Sequence, residues 1–291
     1  MTRLILDLLG RGLIVLIFVS GSAVLSFLVT RLLSHLIPHP FIGAVFLGSG
    51  TVVLTAITML GVSYLYVYRG FGTQADIIRR RPGVGPRVVI TFDDGPSEFF
   101  TPALLEILKE KGAPAVFFMV GSQVEKYPAI ARRVVEEGHE LGNHTYGHIT
   151  VPHAPPAQLA SQVIRTNLSI FQHTGRYPQY LRPPRGLYDT RLRRLAGLMG
   201  QQLVLWSLSS LDWHPRSRPE AMVRRLVRLA SPGDILLFHD SGSLLKNEGA
   251  DRRSTVEALP GIIDGIREKG FEIVSLEEYL AYTGKRLRAR Y

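Results

Sequence analysis

Two acidic residues stand side by side at the end of an apolar run, where Thr91-Phe92-Asp93-Asp94-Gly95 follows Val88-Val89-Ile90. Adjacent carboxylates in such a place resist ionising together, so the pair is costly unless one binds a cation and the other handles a proton. Further along, His144-Thr145-Tyr146-Gly147-His148 offers two imidazoles four residues apart. Two His nitrogens and one carboxylate form a common catalytic zinc set, which leaves a coordination position open for water. By residue type alone this is the pattern of a metal-dependent hydrolase. Gly142 and Gly147 favour a tight loop over a helical turn for the two histidines.

Three later segments follow the same habit: Arg182-Pro183-Pro184-Arg185-Gly186, Asp212-Trp213 and Leu237-Phe238-His239-Asp240. Each has a plainer explanation when taken alone. Asp-Asp-Gly after a strand is often only a turn, and paired surface histidines are not rare. Arg-Pro-Pro can be a rigid connection, Trp213 a packing residue, and His239 a satisfied strand end. What outweighs these explanations is the order of the segments and their shared position just beyond apolar runs.

The elements that must carry these residues alternate. Strands are expected over 88–90, 115–120, 140–141, 180–181, 203–208, 235–238 and 271–274. Helices are expected over 102–111, 129–137, 158–172, 190–199, 219–230 and 256–269. Such alternation predicts an α/β fold, a parallel sheet of about seven strands closed or nearly closed into a distorted (β/α) barrel. Asp93, Asp94, His144, Arg182, Asp212 and His239 then sit at the strand ends, the rim on which active sites of α/β barrels are built.

Taken in order, the five segments resemble the motifs of the polysaccharide deacetylase superfamily, carbohydrate esterase family four, which includes the nodulation-type chitooligosaccharide deacetylases. The resemblance spans residues 87–280. It implies Asp93 as catalytic base, with Arg182 orienting and tuning it, and His239 as general acid, with Asp212 available to support it. It implies Asp94, His144 and His148 as metal ligands. The ion implied is zinc by ligand type, with Co2+, Mn2+, Ni2+ and Fe2+ as other candidates. A backbone N–H at Arg185 would stabilise the oxyanion, and Trp213 and Leu237 would line the substrate site. The sequence departs from the family pattern twice. Arg185 stands where an aromatic residue is usual, which alters the substrate wall. Ser209 stands where Asp is frequent, which puts the support of His239 in question. The implied reaction is hydrolysis of acetamide groups on N-acetylated amino sugars in an envelope polysaccharide such as peptidoglycan. A lipid-linked amino sugar losing a formyl or acetyl group at the cytoplasmic membrane face is an alternative. A catalytically idle glycan-binding module is another, and it draws only on the two departures. A non-haem iron oxygenase also uses two His and a carboxylate, but the Asp-first order and the second Asp count against it.

The first part of the chain has a different composition. Residues 12–30 are apolar or small throughout, and residues 41–67 contain no charged side chain. Each reaches the roughly 20 residues needed to cross a bilayer, so residues 1–69 are expected to be a membrane anchor of two helices. A cleavable signal peptide is the rival reading of the first segment. A Gly/Pro/Arg-rich stretch over 70–86 is expected to be a tether, and 281–291 a basic tail. Arg69, Arg79, Arg80 and Arg81 follow the second span, whereas the inter-helix link carries only Arg31. The positive-inside tendency therefore points the catalytic part to the cytoplasm. That tendency weakens before a long folded domain, and an extracytoplasmic catalytic domain on a two-pass protein of the cytoplasmic membrane is the favoured expectation.

The formal net charge is +10, and arginine recurs on expected helix faces such as Arg191, Arg193 and Arg194. Solvated faces explain most of this charge, and a lipid bilayer or anionic wall polymer would be attracted to the remainder. No recognition motif accompanies the charge, so nucleic acid is not an expected partner. The chain has no cysteine, which excludes thiolate metal sites and disulfides. Nothing in the sequence sets an oligomeric state.

Overall fold

The computed structural model describes residues 20–33 apart from 22, 40–69, and 76–282 apart from 215 and 243–250. The chain divides into two compact units, Met1–Gly72 and Thr73–Tyr291.

In the first unit, Pro40–Arg69 forms a 30-residue helix, α1, and residues 23–33 are also helical. The two helices meet where Thr30 and Thr51 share a 2.8 Å hydroxyl hydrogen bond. A Cβ placed on Gly50 would come within 2.7 Å of the Thr30 methyl, so Gly50 permits the approach. Small residues at helix crossings have this effect in lipid. Of the expected first span, residues 12–19 lie outside the described residues. The second span falls inside α1, whose side chains are described without a break only over 48–61. Among the described residues no uninterrupted stretch is long and apolar enough to cross a membrane.

The second unit is an α/β fold around a parallel sheet. Its elements are β1 (Ile77–Ile78), β2 (Arg87–Asp93), α2 (Phe100–Glu110), β3 (Ala115–Met119), α3 (Gly121–Lys126), α4 (Pro128–Glu136) and β4 (Glu140–Asn143). There follow α5 (Pro156–Thr174), β5 (Tyr180–Leu181), α6 (Thr190–Leu198), β6 (Gln202–Val204), β7 (Leu208–Ser209) and α7 (Pro219–Leu229). The last are β8 (Ile235–His239), α8 (Arg253–Glu268), β9 (Glu272–Ile273) and α9 (Leu276–Ala281). The pairing order is β1-β6-β5-β4-β3-β2-β8-β7, with β9 also on β2. The path ends at β1 and β7 without closing, which fits the expected distorted barrel.

The sheet has nine strands, not about seven. One extra strand comes from the stretch expected as a tether: Ile77 and Ile78 pair in parallel with Leu203 and Val204. Arg81 continues this attachment, donating from its backbone to Gly233 and from its guanidinium to the carbonyl of Tyr279 at 3.0 Å. A two-residue strand flanked by Arg, Pro and Gly carries no periodicity to reveal it. The other arises because the expected strand over 203–208 is broken. The carbonyls of Val204 and Leu205 each accept a 3.1 Å hydrogen bond from the Arg182 guanidinium. An inward-reaching cation thus takes the groups that a continuous strand would offer its neighbour.

Alternation along the strands separates two environments. Val88, Ile90 and Phe92 of β2 belong to the core cluster shared with Leu104, Leu105 and Leu108 of α2 and with Ile262, Ile263 and Ile266 of α8. Val89 belongs to a separate cluster with Val116, Phe118, Val204 and Ile235. Since successive side chains of a strand face opposite ways, Thr91 and Asp93 share the side of Val89, the barrel interior. The same parity puts His239 with Ile235 and Leu237. Register completes the placement: Asp93 pairs with His239 across β2 and β8.

Candidate active site

Asp93, the last residue of β2, is held by Arg182 just beyond β5. Arg182 donates through Nη1 to Asp93 Oδ1 at 2.7 Å and to Thr91 Oγ1 at 2.7 Å. The guanidinium is fully buried and lies 4.0 Å over the Phe118 ring. Burial lowers the Arg182 pKa, and the Asp93 carboxylate offsets only part of that. One Asp93 oxygen is thus committed, leaving Oδ2 to face the cavity, 3.8 Å from His144 Nε2.

Asp94 leaves the strand with φ 80°, and its carboxylate approaches the same imidazole that Asp93 Oδ2 faces. His144 Nε2 and His148 Nε2 lie 3.4 Å and 3.2 Å from Asp94 Oδ1. All three residues are buried, and their ligand atoms lie within 4.8 Å of one another. The His144 Nδ1 sits 2.8 Å from the Arg182 carbonyl oxygen. A carbonyl only accepts, so Nδ1 carries the proton and Nε2 presents its lone pair. Asp94 Oδ1 is buried and has no hydrogen-bond donor. Lone pairs converging in this way repel unless a cation lies among them. The residues therefore fit a divalent ion, and the backing of His144 by a carbonyl is the usual way a ligand imidazole is oriented.

The loop carrying the histidines is tied down on both sides. Its Thr145 and Tyr146 carbonyls accept from the first amides of α3, Gly121 and Ser122, at 3.1 and 3.0 Å. Asn143 accepts from the Thr145 N–H at 2.8 Å through its side-chain oxygen. Asp94, Thr145, His148, Arg185 and Leu211 have positive φ, and all five lie in the loops that build the site. Each such residue stores of order 1–3 kcal/mol of strain.

Across from Asp93 at the end of β8 stands His239. Asp212 accepts from its Nδ1 at 2.8 Å and from its backbone N–H at 2.7 Å. Thr255 adds a 3.0 Å hydroxyl donor to Asp212, and Arg252 donates to the Asp212 and Ser241 carbonyls at 3.2 and 2.8 Å. Burial pulls the His239 pKa down, but the Asp212 carboxylate and, less strongly, Asp94 and Asp93 push it up to about 9. The imidazolium thus persists at neutral pH, with Nε2–H as its remaining donor. Asp212 settles the question raised by Ser209, whose hydroxyl only accepts from the Leu211 N–H at 3.1 Å. Sequence reasoning does not find Thr255 and Arg252. They belong to no motif and reach Asp212 from 43 and 40 residues away.

Gly95 closes the first motif because a Cβ there would lie 2.0 Å from Asp240 Oδ2. Asp240 cannot yield easily, since Thr101 donates to the same oxygen at 2.7 Å and the Asp240 N–H is bonded to the Asp93 carbonyl at 3.1 Å. Gly95→Ala is expected to cost about 1–3 kcal/mol, read as a lowered thermal unfolding midpoint, and to lower activity by shifting the His239 backbone.

The remaining expected substrate residues are spread more widely. Leu237 is buried within β8, and Trp213 is 55% exposed beyond Asp212. Arg185 is half-buried in the turn after Arg182, with its guanidinium on Thr150 Oγ1 at 2.9 Å.

Residues 80–204 match the family model described as polysaccharide deacetylase. A peptidoglycan-N-acetylglucosamine deacetylase of Bacillus cereus is 34% identical over 67% of this chain and 88% of its own length. The chain belongs to the polysaccharide deacetylase family. It is therefore a hydrolase acting on amide bonds of acetylated sugars. This deacetylase is also 33% identical to the chitooligosaccharide deacetylase of Sinorhizobium fredii, over 70% of this chain and 98% of that one. A family-four pseudoenzyme from Bacillus anthracis is 27% identical, with a TM-score of 0.64 over 71% of this chain and 69% of that one.

Proposed function

We propose that this protein is a membrane-anchored, metal-dependent N-deacetylase of N-acetylated amino sugars in an envelope polysaccharide, peptidoglycan in the first place. One observation carries the catalytic reading: Asp93 and His239 end register-paired neighbouring strands, and Asp93 lies against the Asp94-His144-His148 triad, 3.8 Å from His144 Nε2. A base and an acid thus stand beside a site that fits a cation. When bound, a divalent ion, zinc by ligand type, would supply Lewis-acid polarisation of the acetamide carbonyl and acidify the attacking water. Asp93 Oδ2 accepts the water proton as the new C–O bond forms. Arg182 keeps the other carboxylate oxygen occupied and so fixes the direction of Oδ2. The Arg185 N–H, in the turn that follows Arg182, serves the developing oxyanion. His239 Nε2 delivers its proton to the sugar nitrogen as the C–N bond breaks, releasing acetate and a free amine.

Replacing Asp212 with Asn tests the acid. With the wild-type imidazolium held to about 9, turnover is expected to fall as pH rises through that value. Removing the carboxylate leaves burial opposed only by the weaker pull of Asp94 and Asp93, so the alkaline limb should move about 1–3 pH units toward acid. A limb that stays in place would take His239 out of this role.

Support for the anchor comes from the first unit, where Leu32, Val52 and Leu60 are exposed and the α1 side chains described over 48–61 include no charged residue. The arginines counted toward a cytoplasmic domain also lose weight. Arg79 is buried and donates to the Tyr188 hydroxyl at 2.7 Å, and Arg81 is bound to the carbonyl of Tyr279. They serve the catalytic unit and need no anionic leaflet. A domain outside the cytoplasm, facing the wall, is the reading we favour. Acetate release from N-acetylglucosamine oligomers and from peptidoglycan, lost on chelation and restored by zinc, is the expected result. No release from the folded, metal-loaded protein would overturn it in favour of a lipid-linked amino sugar.

A further inference from the structure

We infer that Arg185 selects substrates carrying an anion, a carboxylate or a phosphate, beside the N-acetylated sugar placed at the triad. The inference rests on the deacetylase reading above and deepens it.

Arg185 occupies the position at which an aromatic wall residue is expected, and its setting is built. It lies in the single turn Pro184–Gly186 with φ 59°. Behind it, a Cβ on Gly186 would meet the Trp206 ring at 3.0 Å, so this backbone has little room to shift. The Arg185 Nη1 donates to Thr150 Oγ1, two residues past the ligand His148. The same two loops are joined again by the contact of His144 with the Arg182 carbonyl. The guanidinium is therefore pinned to the edge of the loop that carries the metal ligands.

Its charge is not matched from within. Arg182 pairs with Asp93, Arg191 with Asp189, and Arg193 with Asp76. Among the described residues no carboxylate forms an ion pair with Arg185. A half-buried cation lacking a counter-ion is costly, and a ligand that supplies the anion removes that cost. One N–H is engaged by Thr150, and the rest of the planar fork suits a two-oxygen acceptor.

The test uses the full, metal-loaded chain in detergent and three oligosaccharides of equal length. One is neutral N-acetylglucosamine oligomer, one bears a lactyl carboxylate on the adjoining sugar, and one bears a phosphate there. Wild-type protein is expected to prefer at least one charged oligomer. Arg185→Tyr should lower the charged-to-neutral ratio of kcat/KM about tenfold or more, mainly through KM, and Arg185→Lys should recover part of it. The responding arm tells carboxylate from phosphate. A ratio unchanged in Arg185→Tyr would overturn the inference. Absence of turnover on all three would sink the deacetylase reading instead. Calorimetric binding would then decide about Arg185, with equal affinities of wild type and Arg185→Tyr for the charged oligomers counting against it.

Discussion

Asp93→Asn is expected to lower kcat by about 10³-fold, inside the 10²–10⁴ that a positioned general base supplies, with metal content unchanged. The two halves of this expectation come from different oxygens and different residues. Asp93 is not among the three groups that converge on the cation site, so losing its charge leaves the ligands intact. Its Oδ1 is engaged by Arg182. In the variant the amide oxygen takes over that contact, because a guanidinium needs an acceptor, and the NH2 group is left where Oδ2 stood. An NH2 group cannot take a proton from water. Acetate release and elemental analysis on the same sample check both halves. A variant that retained more than about a tenth of the rate would place the base elsewhere, since a general base alone is worth 10²-fold or more.

The second large effect is on stability. Arg182→Met should destabilise the fold by about 3–5 kcal/mol, the cost of breaking a buried pair from one side, and abolish activity. The fully buried guanidinium serves Asp93, Thr91 and the Val204 and Leu205 carbonyls. A thioether leaves a carboxylate without its cation and two carbonyls without donors. Combining Arg182→Met with Asp93→Asn removes the stranded charge, so the double variant should recover a good part of the lost stability and none of the activity. Denaturant midpoints of the four proteins measure the coupling. Strictly additive losses would mean that the ion pair contributes little and that the carbonyl contacts dominate.

The site was more legible in the sequence than the sheet that carries it. Chemistry-bearing residues declare themselves by type: strand parity fixes the directions of Asp93 and His239, while Asp94, His144 and His148 come together through loops in which Asp94, Thr145 and His148 have positive φ. What stayed hidden depends on contacts between distant residues. Nothing local in Ile77-Ile78 marks a strand that exists only by pairing with β6. The break between β6 and β7 follows from where the Arg182 guanidinium lands, which no window around residue 205 contains. Thr255 and Arg252 are ordinary helix-start residues until the fold brings them to Asp212. Arg185 could be seen as a departure from a pattern, but its lack of a carboxylate partner among the described residues needed the structure. The two expected membrane helices remain an expectation carried by composition.

The place of β2 in the sheet bears on how the chain is made. It pairs with β3, the next strand in sequence, on one side, and with β8 on the other. Thr91 and the Leu236 carbonyl it bonds are 145 residues apart. As the polypeptide emerges, every cation ligand is in hand by His148, long before β8 exists. Until then the apolar central strand has a bare edge, the feature that draws growing chains into mispairing and aggregation. A product interrupted before residue 235 would keep the whole ligand set and still come out of solution. Insolubility, rather than lost chemistry, would be the first symptom of truncation.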